Sequence, residues 1–371
     1  MKEALQKRID SNSLRSLSTT KSFIDFCSND FLGFSRTGLL RKEISDYLKC
    51  VEPHKLEGST GSRLLTGNSE FFEKLEQKIA SFHNGEAALI FNSGYDANIG
   101  LLSSIAKRDD TILFDELVHA SIHDGIRLSR AKAFSFRHND LADLKKLLTH
   151  THGKVYVVVE SIYSMDGDKS HLVEIADLCE SKKALLIVDE AHATGVFGKL
   201  GRGCVCENKL EKKVFARVHT FGKALGAHGA AVVGSSTLRT YLINFARSFI
   251  YSTALPYSSL VSVQCAYNLL QQSDEQMKSL HDNIKFFRGL MYGFQGLLDS
   301  SSAIQGIVMN GNEKVKKLAK ELNILGFDVR PILSPTVSKG KERIRICLHA
   351  FNTSLDIRKL ISAIERNIEI E

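Results

Sequence analysis

Residues 185–195 read LLIVDEAHATG, an apolar run that stops on an acid, Asp189. Such a run suits a strand buried on both faces of a sheet. Upstream, VYVVVESIYSMDGD holds the cleanest case, a strand over 155–159, β-branched and continuous; it ends in Glu160 and a polar turn holding Ser164, Asp166 and Asp168. Earlier, 87–105 (AALIFNSGYDANIGLLSSI) reads as a strand over 87–91, a tight turn at Gly94 and a helix that includes 98–105. The segment 111–129 (TILFDELVHASIHDGIRLS) repeats that form: a strand to Phe114, a turn at Asp115, then His119 near a helix start. A helical stretch to Cys179 precedes 185–190, and a further short strand lies at 232–234. Strands alternating with helices from about 87 to 234 predict an open, mostly parallel α/β sheet covered on both faces. In such sheets a ligand sits beyond the carboxyl ends of the strands. Ser164, Asp189 and Thr220 all fall at such ends.

Downstream, 219–229 (HTFGKALGAHG) holds one lysine, Lys223, between Gly222 and Gly226, with Thr220 three residues before it. A lysine amine is a poor nucleophile at neutral pH until burial or a nearby cation lowers its pKa and fits it for Schiff-base chemistry. Small neighbours let a bulky aldehyde cofactor approach the backbone, and a threonine hydroxyl can bind its phosphate. A solvated lysine in a glycine-rich loop is the plainer reading of this stretch alone. Asp189 changes the balance, because an acid at a buried strand end is where a pyridinium nitrogen finds its partner. Asp189 and Lys223 together point to pyridoxal phosphate.

The helix N-terminus after Gly94 offers unsatisfied N–H groups and the positive end of a dipole, a natural phosphate site, although an ordinary βα turn fits it too. Tyr95 reads equally as a packing aromatic. His119 is followed by small residues, Ala120 and Ser121, which leave its ring face open to stack on a flat ligand. The glycine-rich segment 57–82 (EGSTGSRLLTGNSEFFEKLEQKIASF) is either structural punctuation or an active-site wall. It closes in a helix that Asn68 or Ser69 can cap, with an apolar stripe of Phe72, Leu75, Ile79 and Phe82.

The chain has 371 residues, 43% apolar and 25% charged, with a net charge of +7. Its basic residues are dispersed, which does not indicate nucleic-acid binding and suits small anionic substrates. Seven cysteines lack a framework spacing, and Cys204 and Cys206 form a lone C-x-C, so reduced thiols and no metal site are expected. No apolar run reaches membrane-spanning length, and the amino terminus starts an amphipathic helix, not a signal peptide; a cytoplasmic enzyme is the expectation. Residues 1–20 read as helix then loop, with breakers at Ser11, Asn12 and Ser13; 23–27 is a short strand and 38–50 is helical. After 234 helical patterns dominate, broken by 249–257 (FIYSTALPY). The carboxyl-terminal hundred or so residues form a smaller α+β unit, whose 343–346 (RIRI) could hold a carboxylate or simply expose charges.

The motifs SNDFLG, GSTGSRLLTGN, FNSGYDAN, DELVHAS, YSMDGD, VDEAHATGVFG, HTFGKALG, YSTALP and PTVSKGKERIRI occur in order along nearly the whole chain. The set resembles the α-oxoamine synthases, pyridoxal-phosphate enzymes of the fold type I aminotransferase superfamily. The resemblance implies a PLP-binding large α/β domain over 46–250, an N-terminal segment over 1–45 and a small α+β domain over 251–371. It assigns Lys223 as the residue bonded to the cofactor, Asp189 to its ring nitrogen, His192 to its phenolic oxygen and His119 to its ring face. Gly94, Tyr95 and Thr220 are to hold the phosphate, helped by Ser252 or Thr253 of a second subunit, with Ser164 beside the cofactor. Asn29 and Arg345 are to bind the amino-acid carboxylate; Arg15 and Thr336 are to face the acyl substrate. Thr194 and the short N-terminal extension resemble the branch that joins L-alanine to a pimeloyl thioester of CoA or a carrier protein, as a homodimer with a shared active site. Glycine- and serine-using members, and a non-catalytic subunit that has kept the fold, are the alternatives. Ser338, where proline is commoner, and the extra residues 332–334 depart from the pattern near the acyl end.

Overall fold

The computed structural model describes residues 1–17, 19, 23–50, 58–151 and 153–368. Glu57, the first residue of the glycine-rich segment, lies outside the described residues, as do positions 18 and 20–22 of the amino-terminal segment. The chain divides into two compact units. One comprises Met1–Phe31, Ser164–Lys169 and Glu275–Glu371, the other Leu32–Tyr163 and Ser170–Asp274.

The first unit begins with α1 (Lys2–Asp10) and β1 (Ile24–Asp25). The second then supplies α2 (Leu39–Leu48), α3 (Glu70–Phe82), β2 (Ala87–Phe91), α4 (Gly94–Ile105), β3 (Thr111–Asp115) and α5 (Ala120–Ser129). It continues through β4 (Lys132–Phe136), α6 (Leu141–Leu148), β5 (Val155–Glu160), α7 (Leu172–Ser181), β6 (Leu185–Asp189) and α8 (Cys204–Glu207). Its last elements are β7 (Val214–Thr220), β8 (Ala230–Gly234), α9 (Ser236–Phe245), α10 (Arg247–Ile250) and α11 (Tyr257–Leu270). The chain returns to the first unit through α12 (Asp274–Leu290), β9 (Ile304–Val308), α13 (Asn312–Ile324), β10 (Phe327–Asp328), β11 (Arg330–Ile332), β12 (Arg343–Cys347) and α14 (Ser354–Ile368).

Seven strands of the second unit form one sheet in the order β2-β8-β7-β6-β5-β3-β4. Only β8 runs antiparallel to its neighbours, so the sheet is mostly parallel, as the alternating pattern predicts. Its central strands are buried on both faces: Val157, Val158, Leu186, Ile187 and Val188 are all essentially inaccessible. Strand periodicity sorts them. Leu89, Ile112, Val158, Ile187, Val218 and Val232 share one core cluster with Ala97, Leu101 and Leu102 of α4 and Ile122 of α5. The sequence gives no warning of β4, an exposed edge strand in which only Phe136 is buried. The helix over 70–82 is capped by Ser69, whose side chain accepts the Phe72 N–H at 3.3 Å, and the stripe Phe72, Leu75, Ile79 and Phe82 is buried.

In the first unit β9, β11 and β12 form an antiparallel sheet, β12 in the middle, while β1 pairs in parallel with β10. α13 and α14 pack together in this unit.

A stack of two buried histidines holds β7 in place beneath the strand end that carries Thr220. The rings of His83 and His219 lie 3.6 Å apart, nearly parallel. His83 Nδ1 is 3.0 Å from the Arg202 carbonyl and so donates, while Nε2, 2.9 Å from the Tyr267 hydroxyl, accepts. Thr194 Oγ1 donates to the Glu190 carbonyl at 2.9 Å, so His219 Nδ1, at 2.9 Å, donates to Thr194. Each ring therefore carries one proton. Burial, reinforced for His83 by the Arg217 charge, pulls its pKa down to about 3; burial, His83 and Arg217 hold His219 well below the ordinary range.

The sign of the resulting pH dependence follows. Both folded values lie below the unfolded value of about 6.5, so the unfolded chain binds more protons as the pH falls. Their contribution is complete above about pH 6.5 and drains away below it by up to about 1.4 kcal/mol per pH unit per histidine. Urea unfolding should show the chain less stable at pH 5 than at pH 7. His83→Gln should make that slope shallower; an unchanged slope refutes the account.

Candidate functional site

The sheet's alternation decides where Asp189 points. It shares the parity of Ile187, so its side chain leaves β6 on the face covered by α4 and α5. There it is 5% exposed, and a buried carboxylate needs donors. Oδ1 accepts the Ala191 N–H at 2.9 Å, and Oδ2 accepts from Asn98 Nδ2 at 2.8 Å. A carboxylate has about four acceptor positions, so capacity remains for another donor. Asn98, buried in α4, also donates to Ser121 Oγ at 3.0 Å. Ser121 Oγ lies 2.8 Å from His119 Nδ1, which also accepts the Ser121 backbone N–H at 3.2 Å and so caps α5. The His119 ring keeps an exposed side. The protein around it nonetheless disfavours its charge and lowers its pKa; Asp189 opposes that shift, and Lys223 and His123 reinforce it.

Thr220 ends β7 with the parity of Val218, hence on the same face as Asp189. Its hydroxyl is 3.4 Å from the Ala191 carbonyl. Opposite it α4 begins, capped by Ser93, whose Oγ accepts the Asp96 N–H at 3.0 Å. The first amides of the helix, at Gly94 and Tyr95, have no intrahelical acceptor in any α-helix. A Cβ at Gly94 would sit 2.5 Å from Thr220 Cγ2, so only glycine lets strand end and helix start approach this closely. The Tyr95 side chain is 44% exposed, with its hydroxyl on Asp124. Lys223 is half-buried in the turn joining β7 to β8, which closes through Phe221 N–H to Gly229 O and Gly226 N–H to Lys223 O, both 2.9 Å. Gly226 has φ +62°, and a Cβ there would press on the Ser35 amide at 2.9 Å. His192 follows Asp189 closely and is 5% exposed.

Ser252 and Thr253 lie in a loop fastened to the glycine-rich segment. Thr253 bridges to Ser62, the Ala254 N–H meets the Gly61 carbonyl at 3.0 Å, and Asn92 Nδ2 donates to the Thr253 carbonyl at 2.8 Å. Thr194 is committed to the core through Glu190 and His219.

The other expected residues belong to the first unit. Arg345 donates from Nε to the Ser164 carbonyl at 2.9 Å and from Nη2 to Asn29 Oδ1 at 3.0 Å, so Asn29, Ser164 and Arg345 meet. Arg343, on the same side of β12, is buried and paired with Asp166. Arg15 donates to Thr336 Oγ1 at 2.9 Å. The two line a cleft of about 540 Å³ that Arg8, Lys316 and Arg330 also border.

Sequence reasoning missed Asn98 and Ser121 as site residues. A signal existed: asparagine is a poor interior helix residue, and here it sits among the apolar Ala97, Ile99, Leu101 and Leu102 of α4.

Residues 21–364 match the family described as aminotransferase class I and II. The chain belongs to that family. It is 42% identical to 8-amino-7-oxononanoate synthase from Emericella nidulans, covering 98% of this chain and 94% of that protein. Among solved structures, an 8-amino-7-oxononanoate synthase from Francisella tularensis superposes with a TM-score of 0.80 at 30% identity, covering 94% of this chain and 98% of that one. Serine palmitoyltransferase from S. paucimobilis, with a bound PLP–myriocin aldimine, superposes with a TM-score of 0.90 at 26% identity, covering 99% and 96%. The fold is that of the fold type I pyridoxal-phosphate transferases, and this is a pyridoxal-phosphate-dependent family. The aminotransferase-family site fits that cofactor on its own chemistry. A buried carboxylate with acceptor capacity, a half-buried lysine, and a helix start whose glycine keeps open the space beside Thr220 are the groups a phosphorylated pyridine aldehyde requires.

Gly94→Ala tests the close approach directly. Forcing a methyl against Thr220 should cost the apoprotein about 1–3 kcal/mol in denaturant unfolding, the range for overpacking a tight contact. The double variant Gly94→Ala/Thr220→Ser should recover most of it, since the clashing Cγ2 is gone.

Proposed function

We propose that this chain catalyses the decarboxylative condensation of L-alanine with a pimeloyl thioester, giving 8-amino-7-oxononanoate, CO₂ and the free thiol, a step of biotin biosynthesis. One arrangement carries the reading: at the strand ends Asn98 joins the Asp189 carboxylate to Ser121 and His119, on the sheet face that Thr220 and the start of α4 share. Extensive identity to 8-amino-7-oxononanoate synthase supports the choice of substrates.

Pyridoxal phosphate, when bound, supplies an electron sink for a carbanion at the amino-acid α-carbon. Lys223 would hold it covalently, Asp189 would pair with its ring nitrogen and His192 with its phenolic oxygen. His119 would cover one ring face, Ser164 would lie beside it, and Gly94, Tyr95 and Thr220 would take its phosphate. Asp189 keeps a negative charge against the ring nitrogen and so favours its protonated form. Lys223 Nζ takes the α-proton of L-alanine as general base and returns a proton to the α-carbon once CO₂ has left. Arg345, oriented by Asn29 and the Ser164 carbonyl, binds the alanine carboxylate and fixes which bond at the α-carbon is labile. Arg15 and Thr336 take the far carboxylate of the acyl chain. The active form is a homodimer, with Ser252 and Thr253 of one subunit completing the phosphate site of the other.

A serine-using reading draws on the TM-score of 0.90 to serine palmitoyltransferase. Assays of alanine, glycine and serine against pimeloyl, acetyl and palmitoyl thioesters decide between them; preference for serine with palmitoyl thioester rejects the alanine reading.

Borohydride reduction of the PLP-loaded chain should place the label on Lys223, read by peptide mass spectrometry, and Lys223→Ala should lower turnover by roughly 10²–10⁴-fold or more. Label on another lysine would overturn the assignment.

Arg15→Ala should raise KM for pimeloyl thioester about 5- to 100-fold, the worth of one arginine–carboxylate contact. Octanoyl thioester, which has no terminal carboxylate, should be nearly unaffected. Equal loss with both donors would remove Arg15 from this role.

A further inference from the structure

We propose that Asn98 and Ser121 are positioning residues that form one polar relay, fixing the Asp189 carboxylate and the His119 ring together, with His119 Nδ1 held as an acceptor. The inference rests on the cofactor reading given above and names two residues that reading does not use.

The relay begins with a single NH₂ group. Asn98 Nδ2 lies 2.8 Å from Asp189 Oδ2 and 3.0 Å from Ser121 Oγ, so its two protons serve two different partners. The amide orientation is forced, because a carboxylate can face the NH₂ of asparagine but not its carbonyl. Ser121 Oγ, already an acceptor from Asn98, has its own proton to give, and His119 Nδ1 stands 2.8 Å away. The Ser121 backbone N–H points at the same nitrogen from 3.2 Å. A ring nitrogen facing two donors carries no proton of its own, which places the His119 proton on Nε2.

Packing keeps the relay rigid. Asn98 is 3% exposed and Ser121 is fully buried, so water does not compete for these bonds. α4 and α5 touch beside them: a Cβ on Gly125 would meet the Asn98 carbonyl at 2.9 Å and Leu102 Cβ at 3.0 Å. The groups therefore hang from two helices locked at close approach. A polar pair this deep in a helix interface contributes nothing to apolar packing. Its worth lies in what it holds, the two side chains placed against the ring nitrogen and ring face of the cofactor.

The test uses the full chain as apoprotein and after PLP loading. Asn98→Ala, Ser121→Ala, the double variant and Ser121→Thr, which keeps the hydroxyl, are compared with wild type. PLP dissociation constants are measured by titrating apoprotein, and the His119 tautomer and titration are followed in apoprotein labelled with ¹⁵N-histidine. Each alanine variant should bind PLP about 10-fold more weakly, as for one hydrogen bond that orients a charged group. The double variant should be no weaker than the worse single one, because both cut the same relay. Ser121→Ala should raise the His119 midpoint, since one of the two donors to Nδ1 has been lost, while the remaining backbone N–H keeps the proton on Nε2; Ser121→Thr should restore the wild-type midpoint. If Asn98→Ala does not fold, the Ser121 pair still decides the matter. Wild-type titration of His119 in Ser121→Ala, or fully additive losses in the double variant, overturns the relay. Wild-type chain that does not take up PLP on Lys223 overturns the cofactor reading and the relay with it. Normal uptake on Lys223, with all variants matching wild type, overturns the relay alone.

Discussion

A carboxylate carried to the end of a buried strand has to be hydrogen-bonded where it stands, and that requirement organises the second unit. Asp189 leaves β6 on the α4 face because its parity is that of Ile187. Two N–H donors, from Ala191 and Asn98, hold it there. A shift of one residue in strand register would carry it to the opposite face, away from Asn98. The unbroken apolar run before it therefore matters twice: it fills the core and it aims the acid.

The same parity brings Thr220 to the start of α4, where glycine is the one residue that fits. Closeness of this sort recurs. Gly94 lets Thr220 in, Gly125 lets α5 lie on α4, and Gly226 turns the lysine loop back onto Ser35. These glycines act through contacts with residues distant in sequence, which is why the glycine-rich appearance of a motif does not reveal what it touches. The His83–His219 stack beneath Thr220 works similarly, trading protonation for tight packing under the strand end.

The two arginines of β12 show how context separates equivalent residues. Arg343 and Arg345 are two apart on one strand and point the same way. Arg343 is buried against Asp166 and serves the first unit's structure. Arg345 is held by a carbonyl and an asparagine oxygen, neither of which neutralises it, so its charge stays available for an anion. A buried cation beside a carboxylate is spent; one oriented by neutral acceptors is poised.

Much was legible in the chain alone. Apolar runs and their polar terminators pointed to the strands at 87–91, 155–159 and 185–190, and a cap at Asn68 or Ser69 with its apolar stripe pointed to α3, because these depend on local periodicity and capping. The lysine between glycines and the acid at a strand end pointed to pyridoxal phosphate, the cofactor on which this family depends. The edge strand β4 is not legible in the chain because it is solvated and so carries no burial pattern. Asn98 and Ser121 escaped because their meaning is a contact between two helices and a strand end. Only the tertiary structure could decide that one amide group reaches Asp189 and Ser121 together, or that Arg343 is consumed while Arg345 is not. Hydrogen bonds between residues far apart in the chain depend on register and packing, and neither distance nor direction is written in the order of the residues.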